Sequence, residues 1–205
     1  MADASVLEPA FITAPNIEWR LLSQALEHYR QYGYEQVETP WVIPTPYMDG
    51  TKPHDHRTFE MTQGHFKDQP HELVGSAEQG FVYLKSRGLL PVGDRFMSVS
   101  PCFRVEQFDE THLPWFMKLE LFINDTNPER LKFMIEDCVT IFKTMNNRDC
   151  CPFEKIEVVR IGDTFDIEMN GIEIGSYGIR RHFDRAEDYI YGTGIALPRF
   201  TQARG

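Results

Sequence analysis

Apolar residues first recur at helical spacing at Leu21, Leu22, Ala25, Leu26 and Tyr29. This predicts an amphipathic helix that starts near Asn16, a capping residue behind Pro15, and stops at Gly33. The following YEQVETPWVIPTP reads as an extended strand that closes at its prolines. Residues 48–72 are polar and rich in Gly, Pro and His, which predicts a long loop. A short helix over residues 77–85 would use Phe81 and Leu84. RFMSVSPCFRVE and FMKLELFIND predict strands. Asn127 and Pro128 open a second long helix with Leu131, Ile135, Cys138, Val139 and Phe142 on one face, a core face.

The last third, KIEVVRIGDTFDIEMNGIEIGSYGIR, is strand-rich, with Asn170-Gly171 as a hairpin turn. YIYGTGIALPRFTQARG predicts a glycine-containing turn that runs into a short tail. Hairpins between strands, with a few helices and no repeated β-α-β unit, predict an α+β fold: an antiparallel β-sheet flanked by helices. No internal repeat or low-complexity stretch interrupts it.

Length and composition narrow the class. The chain has 205 residues, enough for one domain with a sizeable core, and a single domain over 1–205 is expected. Hydrophobic residues make up 41%, too many for a disordered chain. A net charge of -10 argues against a generic nucleic-acid coat or membrane-surface protein and leaves room for a local basic patch. No apolar run approaches the roughly 20 residues that span a bilayer. MADASVLEPAF lacks the basic and apolar regions of a secretory leader, so a cytoplasmic protein is expected. Cys102, Cys138, Cys150 and Cys151 form no C-x-x-C pair, so reduced thiols are expected rather than a zinc site.

The chemistry concentrates in SPCFRVEQFDETHLPWFMKLELF, residues 100–122. Strand alternation sends Arg104 and Glu106 one way and Phe103 and Val105 the other, toward the core. On the returning strand Phe116, Lys118 and Glu120 share a face, and Met117, Leu119 and Leu121 share the opposite one. A guanidinium can hold two phosphate oxygens, an aromatic ring can stack on a base, and a carboxylate can take an amine. The same pattern also fits a solvated face with salt bridges between strands.

These residues resemble motif 2 of the class II aminoacyl-tRNA synthetases: Phe103-Arg104-Val105-Glu106, then Thr111-His112, then Phe116 with Glu120 after it. The seryl, phenylalanyl and pyrrolysyl branches look nearest, and lysyl and asparaginyl enzymes have similar T-H-x-x-F loops. Other segments resemble further parts of the family, in its order. YGYEQVETP is similar to motif 1, and LVGSAEQG to the loop that holds the substrate's amino group, with Ser76 and Glu78. GIEIGSYG is similar to the metal-binding strand, with Glu173 and Ser176, and GTGIALPR to motif 3, with Arg199.

The resemblance implies ATP-dependent activation of an amino acid as an aminoacyl-adenylate, with transfer to tRNA or to a non-tRNA acceptor. It implies that Arg104 holds the α-phosphate of ATP, Glu106 accepts from the adenine amino group and His112 lies near the outer phosphates. Phe116 and Arg199 would flank adenine, Glu173 and Ser176 would carry Mg²⁺, and Glu78 and Glu120 would face the substrate ammonium. Tyr177 falls where the family has pocket residues. A homodimer is implied through motif 1, with Trp41, Val42 and Ile43 as the apolar patch it would cover.

Some features set conditions on this reading. Glu173 and Ser176 have opposite strand parity, so one ion needs a bulge near Gly175. Ala196 stands where the family has glycine, and Pro198 predicts a late start for the helix that carries Arg199. From the segment lengths, no anticodon-binding arm is expected. The expectation is therefore a core whose acceptor is not tRNA, a core served by a separate partner protein, or a truncated chain. A non-catalytic, ligand-sensing paralogue and an enzyme of the asparagine-synthetase type stay as alternatives. His54, His56, His65 and His71, with Lys52, Arg57 and Lys67, are expected as solvated loop residues. Arg180, Arg181 and Arg185 fit either a surface patch or contacts to an acidic substrate or RNA end.

Overall fold

The computed structural model describes residues 17–49, 51, 58–61, 69–105, 113–146, 155–182 and 187–204. Among the expected site residues, Glu106 and His112 lie outside these, as do Asn16, Thr111, Arg185, Cys150 and Cys151. So do the loop residues Lys52, His54, His56, Arg57, His65 and Lys67.

The first helix, α1 (Trp19–Gln31), buries Leu22, Ala25 and Tyr29. It stops at Gly33, whose φ of +79° suits glycine. The chain then makes two short strands rather than one, β1 (Glu35–Gln36) and β2 (Val42–Pro44). The segment expected as a loop holds a helical turn, α2 (Pro46–Asp49), and the strands β3 (Glu60–Met61) and β4 (His71–Leu73). With β2 they form a small sheet in the order β2-β4-β3. Its strands are too short for an alternation to stand out in the sequence. They are held by tertiary packing of Ile43, Met48 and Val74, with Tyr47 and Tyr83 against them. Ile43 is therefore buried, and of the expected apolar patch only Trp41 is strongly exposed, at 49%.

A capping box starts α3 (Ala77–Ser86). The Glu78 N–H donates to Ser76 Oγ at 3.2 Å, and the Ser76 N–H donates back to Gln79 Oε1 at 2.9 Å. Next come the paired strands β5 (Arg95–Phe103) and β6 (Trp115–Ile123) and the long helix α4 (Pro128–Asn146). The Asn127 side chain caps α4 by accepting from the Glu129 N–H at 3.0 Å. Strands β7 (Ile156–Ile161), β8 (Thr164–Met169) and β9 (Ile172–His182) form a meander. Its second turn has positive φ at Asn170 (54°) and Gly171 (79°), as a tight hairpin demands.

The segment expected as a turn and tail is a strand, β10 (Glu187–Leu197), followed at once by α5 (Arg199–Ala203). Its glycines mark close approach rather than a turn. A Cβ on Gly192 would lie 2.5 Å from Met134 Sδ and 2.6 Å from the Tyr177 ring. Pro198 caps α5, so Arg199 opens that helix.

The large sheet runs β1-β5-β6-β10-β9-β8-β7, and only the β1–β5 pairing is parallel. The α+β expectation therefore holds. One sheet face meets α1, α4 and α5 over a core that includes Leu119, Leu121, Ile123, Tyr177 and Ile195. The other face meets α3, where Phe122 stacks between Phe81 and Tyr189 at centroid distances of 5.0 and 4.9 Å. The cavity described next opens on this second face, beside the N-terminus of α3.

A Gly194→Ala substitution tests the tightest approach in β10. The new Cβ would overlap the Leu119 side chain and meet the Tyr29 ring at 3.0 Å. We expect a loss of about 1–3 kcal/mol in urea-induced unfolding. Unchanged stability would mean that β10 does not pack this closely on β6.

Candidate active site

The cavity is about 360 Å³, within the range of small-ligand sites. Its floor is built by the register of the central strands. Cys102 pairs with Phe116, Ser100 with Lys118 and Ser98 with Glu120, so Phe116, Lys118 and Glu120 point the same way, as alternation predicts. Arg104 follows β5, and its backbone N–H donates to Pro114 O at 3.0 Å, which prolongs the pairing. Its Nε donates to Gly75 O at 3.3 Å, and the guanidinium lies 5.2 Å from the centre of the Phe116 ring. One end of the cavity thus carries a guanidinium beside an aromatic face.

Two bulges bring β9 and β10 to the cavity. In β9, Ile167 pairs with Gly175 and Glu168 with Glu173, so Ile174 is an extra residue. That residue resets the parity, and Glu173 and Ser176 both line the cavity, as the sequence condition required. In β10, Thr193 pairs with Glu120 and Ile195 with Leu119, leaving Gly194 extra. Thr193 and Ala196 therefore both reach the cavity wall. Arg199, at the start of α5, pairs with Glu173 at 3.2 Å.

The bulge in β10 is supported from below. The Tyr29 hydroxyl donates to Gly194 O at 2.8 Å, and the Tyr177 hydroxyl donates to Thr193 O at 2.6 Å. Burial pushes both phenols well above their ordinary range, so both remain protonated donors. This changes the reading of Tyr177. It is fully buried on the opposite sheet face and does not line the cavity. With Ser176 turned to the cavity by the bulge, its neighbour must turn away.

At the other end stand two buried carboxyls. Glu120 is held by Lys118 Nζ at 2.7 Å, and Ser76 Oγ lies 2.6 and 2.7 Å from its two oxygens. The Glu78 N–H also donates to it at 3.3 Å. Burial opposes ionisation of Glu120, but Lys118, Ser76 and Arg104 together hold its carboxyl below the ordinary range. Glu78 accepts from the Tyr189 hydroxyl at 2.8 Å and pairs with Arg180 Nε at 3.4 Å. Here burial wins: the Glu78 carboxyl is raised, with Glu120 adding to the rise and Arg180 and Tyr189 opposing it. Arg180 also donates to Thr51 O at 2.6 Å and lies 4.4 Å from the centre of the Tyr191 ring.

Arg104, Phe116, Ser76, Glu78, Glu120, Glu173, Ser176 and Arg199 all line this one cavity. Lys118 was legible only as part of a strand face, and Arg180 only as one of three arginines. Arg180 has the parity of Ser176, a signal hidden until the bulge is known. Tyr189, Tyr191 and Thr193 carried no sequence signal, because their strand read as a turn. Cys102 and Cys138 are buried, and burial pushes each thiol up to about 12, so neither is a reactive group. No group of three or more His, Cys, Asp or Glu that could hold a metal occurs among the described residues.

Solved structures with the same fold include a pyrrolysyl-tRNA synthetase from Desulfitobacterium hafniense (TM-score 0.68, 18% identity, 91% of this chain and 66% of that one). They also include a seryl-tRNA synthetase from Pyrococcus horikoshii complexed with ATP (0.67, 18%, 89% and 49%). A third is a Giardia lamblia prolyl-tRNA synthetase in complex with prolyl-adenylate (0.72, 15%, 91% and 45%). The chain thus spans from under half to about two-thirds of the length of these neighbours. Direct sequence comparison with curated proteins finds no significant match. At the family level, residues 15–160 match the tRNA synthetases class II (D, K and N), which is most of the chain. With that match, the antiparallel sheet and the shared fold, the chain belongs to the class II tRNA synthetase family.

Proposed function

We propose that this cavity activates an amino acid by joining its carboxylate to AMP. The observation that carries this reading is one cavity with guanidinium and aromatic groups at one end and buried carboxyls at the other. The first end suits a nucleoside triphosphate and the second an amine-bearing acid.

In this reading the substrate's own carboxylate oxygen forms the bond to the α-phosphorus. The bond from that phosphorus to the bridging oxygen breaks, and pyrophosphate leaves. No side chain acts as a nucleophile. Arg104 orients the α-phosphate and offsets the charge that builds on it. Phe116 and Arg199 hold the two faces of adenine. Glu106 and His112 keep the roles implied by the resemblance, at the adenine amino group and the outer phosphates.

Glu173 and Ser176 share the cavity wall and offer one carboxylate and one hydroxyl. That sparse donor set fits Mg²⁺, which commonly takes one or two carboxylates and completes its shell with phosphate oxygens and water. When bound it would neutralise phosphate charge. Glu173 would have to leave Arg199, its partner at 3.2 Å, to serve it.

Both arginines of the nucleotide end, Arg104 and Arg199, are kept together with Phe116 and Glu173. This favours an enzyme over a ligand-sensing paralogue, because a sensor has no need of the groups that offset phosphoryl charge. The acceptor is tRNA, another carrier or, for an enzyme of the amidating type, ammonia. A homodimer through the motif 1 segment would cover Trp41, exposed at 49%. A cytoplasmic setting accords with ATP as substrate and with the unpaired, buried Cys102 and Cys138. No helix among the described residues is long and apolar enough to cross a membrane.

Arg104→Ala should lower amino-acid-dependent exchange of pyrophosphate into ATP by about 100-fold or more while leaving the melting temperature near that of the parent. Exchange within tenfold of the parent would remove Arg104 from the chemistry. A second expectation concerns pH. The folded-state pKa of Glu120 is lowered, so its ionisation stabilises the fold above the ordinary carboxylate range and is lost as pH falls through the lowered value. Glu120→Gln should therefore cost about 1–3 kcal/mol at pH 7 and progressively less in acid. Urea unfolding of both proteins across pH 3–7 reads this, and a pH-independent difference would contradict it.

A further inference from the structure

We propose that Lys118 determines which acids this pocket accepts: it is an internal counter-ion that favours an amino acid with a second anionic group over neutral or basic ones. The inference rests on the activating function proposed above and concerns the carboxyl-lined end of the same cavity.

Lys118 lies between Phe116 and Glu120 on one face of β6, with its side chain only 15% exposed. Its ammonium sits 2.7 Å from Glu120 Oε1. Ser76 Oγ, between its oxygens, and the Glu78 N–H at Oε2 also donate to Glu120. An entering substrate ammonium therefore meets a carboxylate that already holds one full cation. Two ammonium groups on one carboxylate repel strongly where water is scarce. Glu78 likewise already carries a cation, with Arg180 and Tyr189 both on its Oε1.

The four groups Glu78, Glu120, Lys118 and Arg180 carry balanced formal charge, two negative and two positive. A neutral amino acid whose carboxylate goes to the α-phosphate brings only its ammonium to these four groups and upsets that balance. A ligand that adds an ammonium and an extra anion can exchange partners with it. The ammonium takes Glu120, and the anion takes the Lys118 that is released, beside Arg180. The two cations differ in freedom. Arg180 is fixed by Glu78, by Thr51 O at 2.6 Å and by the Tyr191 ring. Lys118 is a compact charge on a flexible four-carbon stem, so it is the one able to swing between Glu120 and the ligand. The bland alternative is a permanent structural pair, in which Lys118 never leaves Glu120 and has no influence on choice of substrate.

The test uses the full chain, with pyrophosphate exchange and ligand-induced shifts in melting temperature measured side by side. The probes are aspartate, glutamate, asparagine, leucine and lysine. We expect kcat/KM for one of the two acidic amino acids to exceed that for leucine by about 100-fold or more, with no exchange for lysine. Lys118→Met should lower the acidic preference about 100-fold, mainly through KM, and Lys118→Arg should restore part of it. A parent enzyme that prefers leucine or lysine, or a Lys118→Met variant that is folded and keeps its selectivity, overturns the inference. No response to either acidic amino acid, with a melting shift from ATP retained, overturns it and leaves the nucleotide end of the site standing. No shift from ATP either overturns the activating function, and this inference falls with it.

Discussion

Two tyrosine hydroxyls rising from the core hold the feature on which the site depends. A bulge at Gly194 takes the carbonyls of Thr193 and Gly194 out of regular register, and buried carbonyls without partners are costly. Tyr177 and Tyr29 supply the missing donors, at 2.6 and 2.8 Å. With the bulge stabilised, β10 shows Tyr191 and Thr193 to the cavity before it and Ala196 after it, and it delivers Arg199 to the rim. The bulge at Ile174 does the same for β9, bringing Glu173, Ser176 and Arg180 onto one wall. Regular strands would have left half of these groups in the core.

The charges of the site form an ordered set of pairs. Arg199 rests on Glu173, Arg180 on Glu78 and Lys118 on Glu120. Arg104 lies over Phe116 and donates to a backbone carbonyl. Two of the pairs, Lys118–Glu120 and Arg180–Glu78, contain buried carboxylates, which are tolerated only when paired, so these two keep the cavity folded while its groups wait. The neighbouring carboxyls illustrate how far the surroundings decide: burial raises Glu78, while Lys118 and Ser76 overcome the same burial at Glu120.

The sequence by itself determined the α+β class, the helices α1, α3 and α4, the central hairpin of β5 and β6, and the turn at Asn170-Gly171. These are long periodic elements or turns with their own local chemistry, so local pattern suffices. It also determined the residue types along the cavity floor, because Arg104, Phe116 and Glu120 follow simple strand alternation. Tertiary structure decided the rest. It made a strand of residues 187–197, where glycines avoid collisions with Met134, Tyr177 and Leu119 that no local pattern reveals. It built the small sheet of β2, β3 and β4 from strands too short to be periodic. It moved Tyr177 from the expected pocket to the support beneath it and put Arg180 and Lys118, which the sequence left open between a solvated face and a ligand contact, on the cavity wall. A bulge changes parity by one residue without changing composition. Which side chain faces a ligand is therefore settled only when the strands pair.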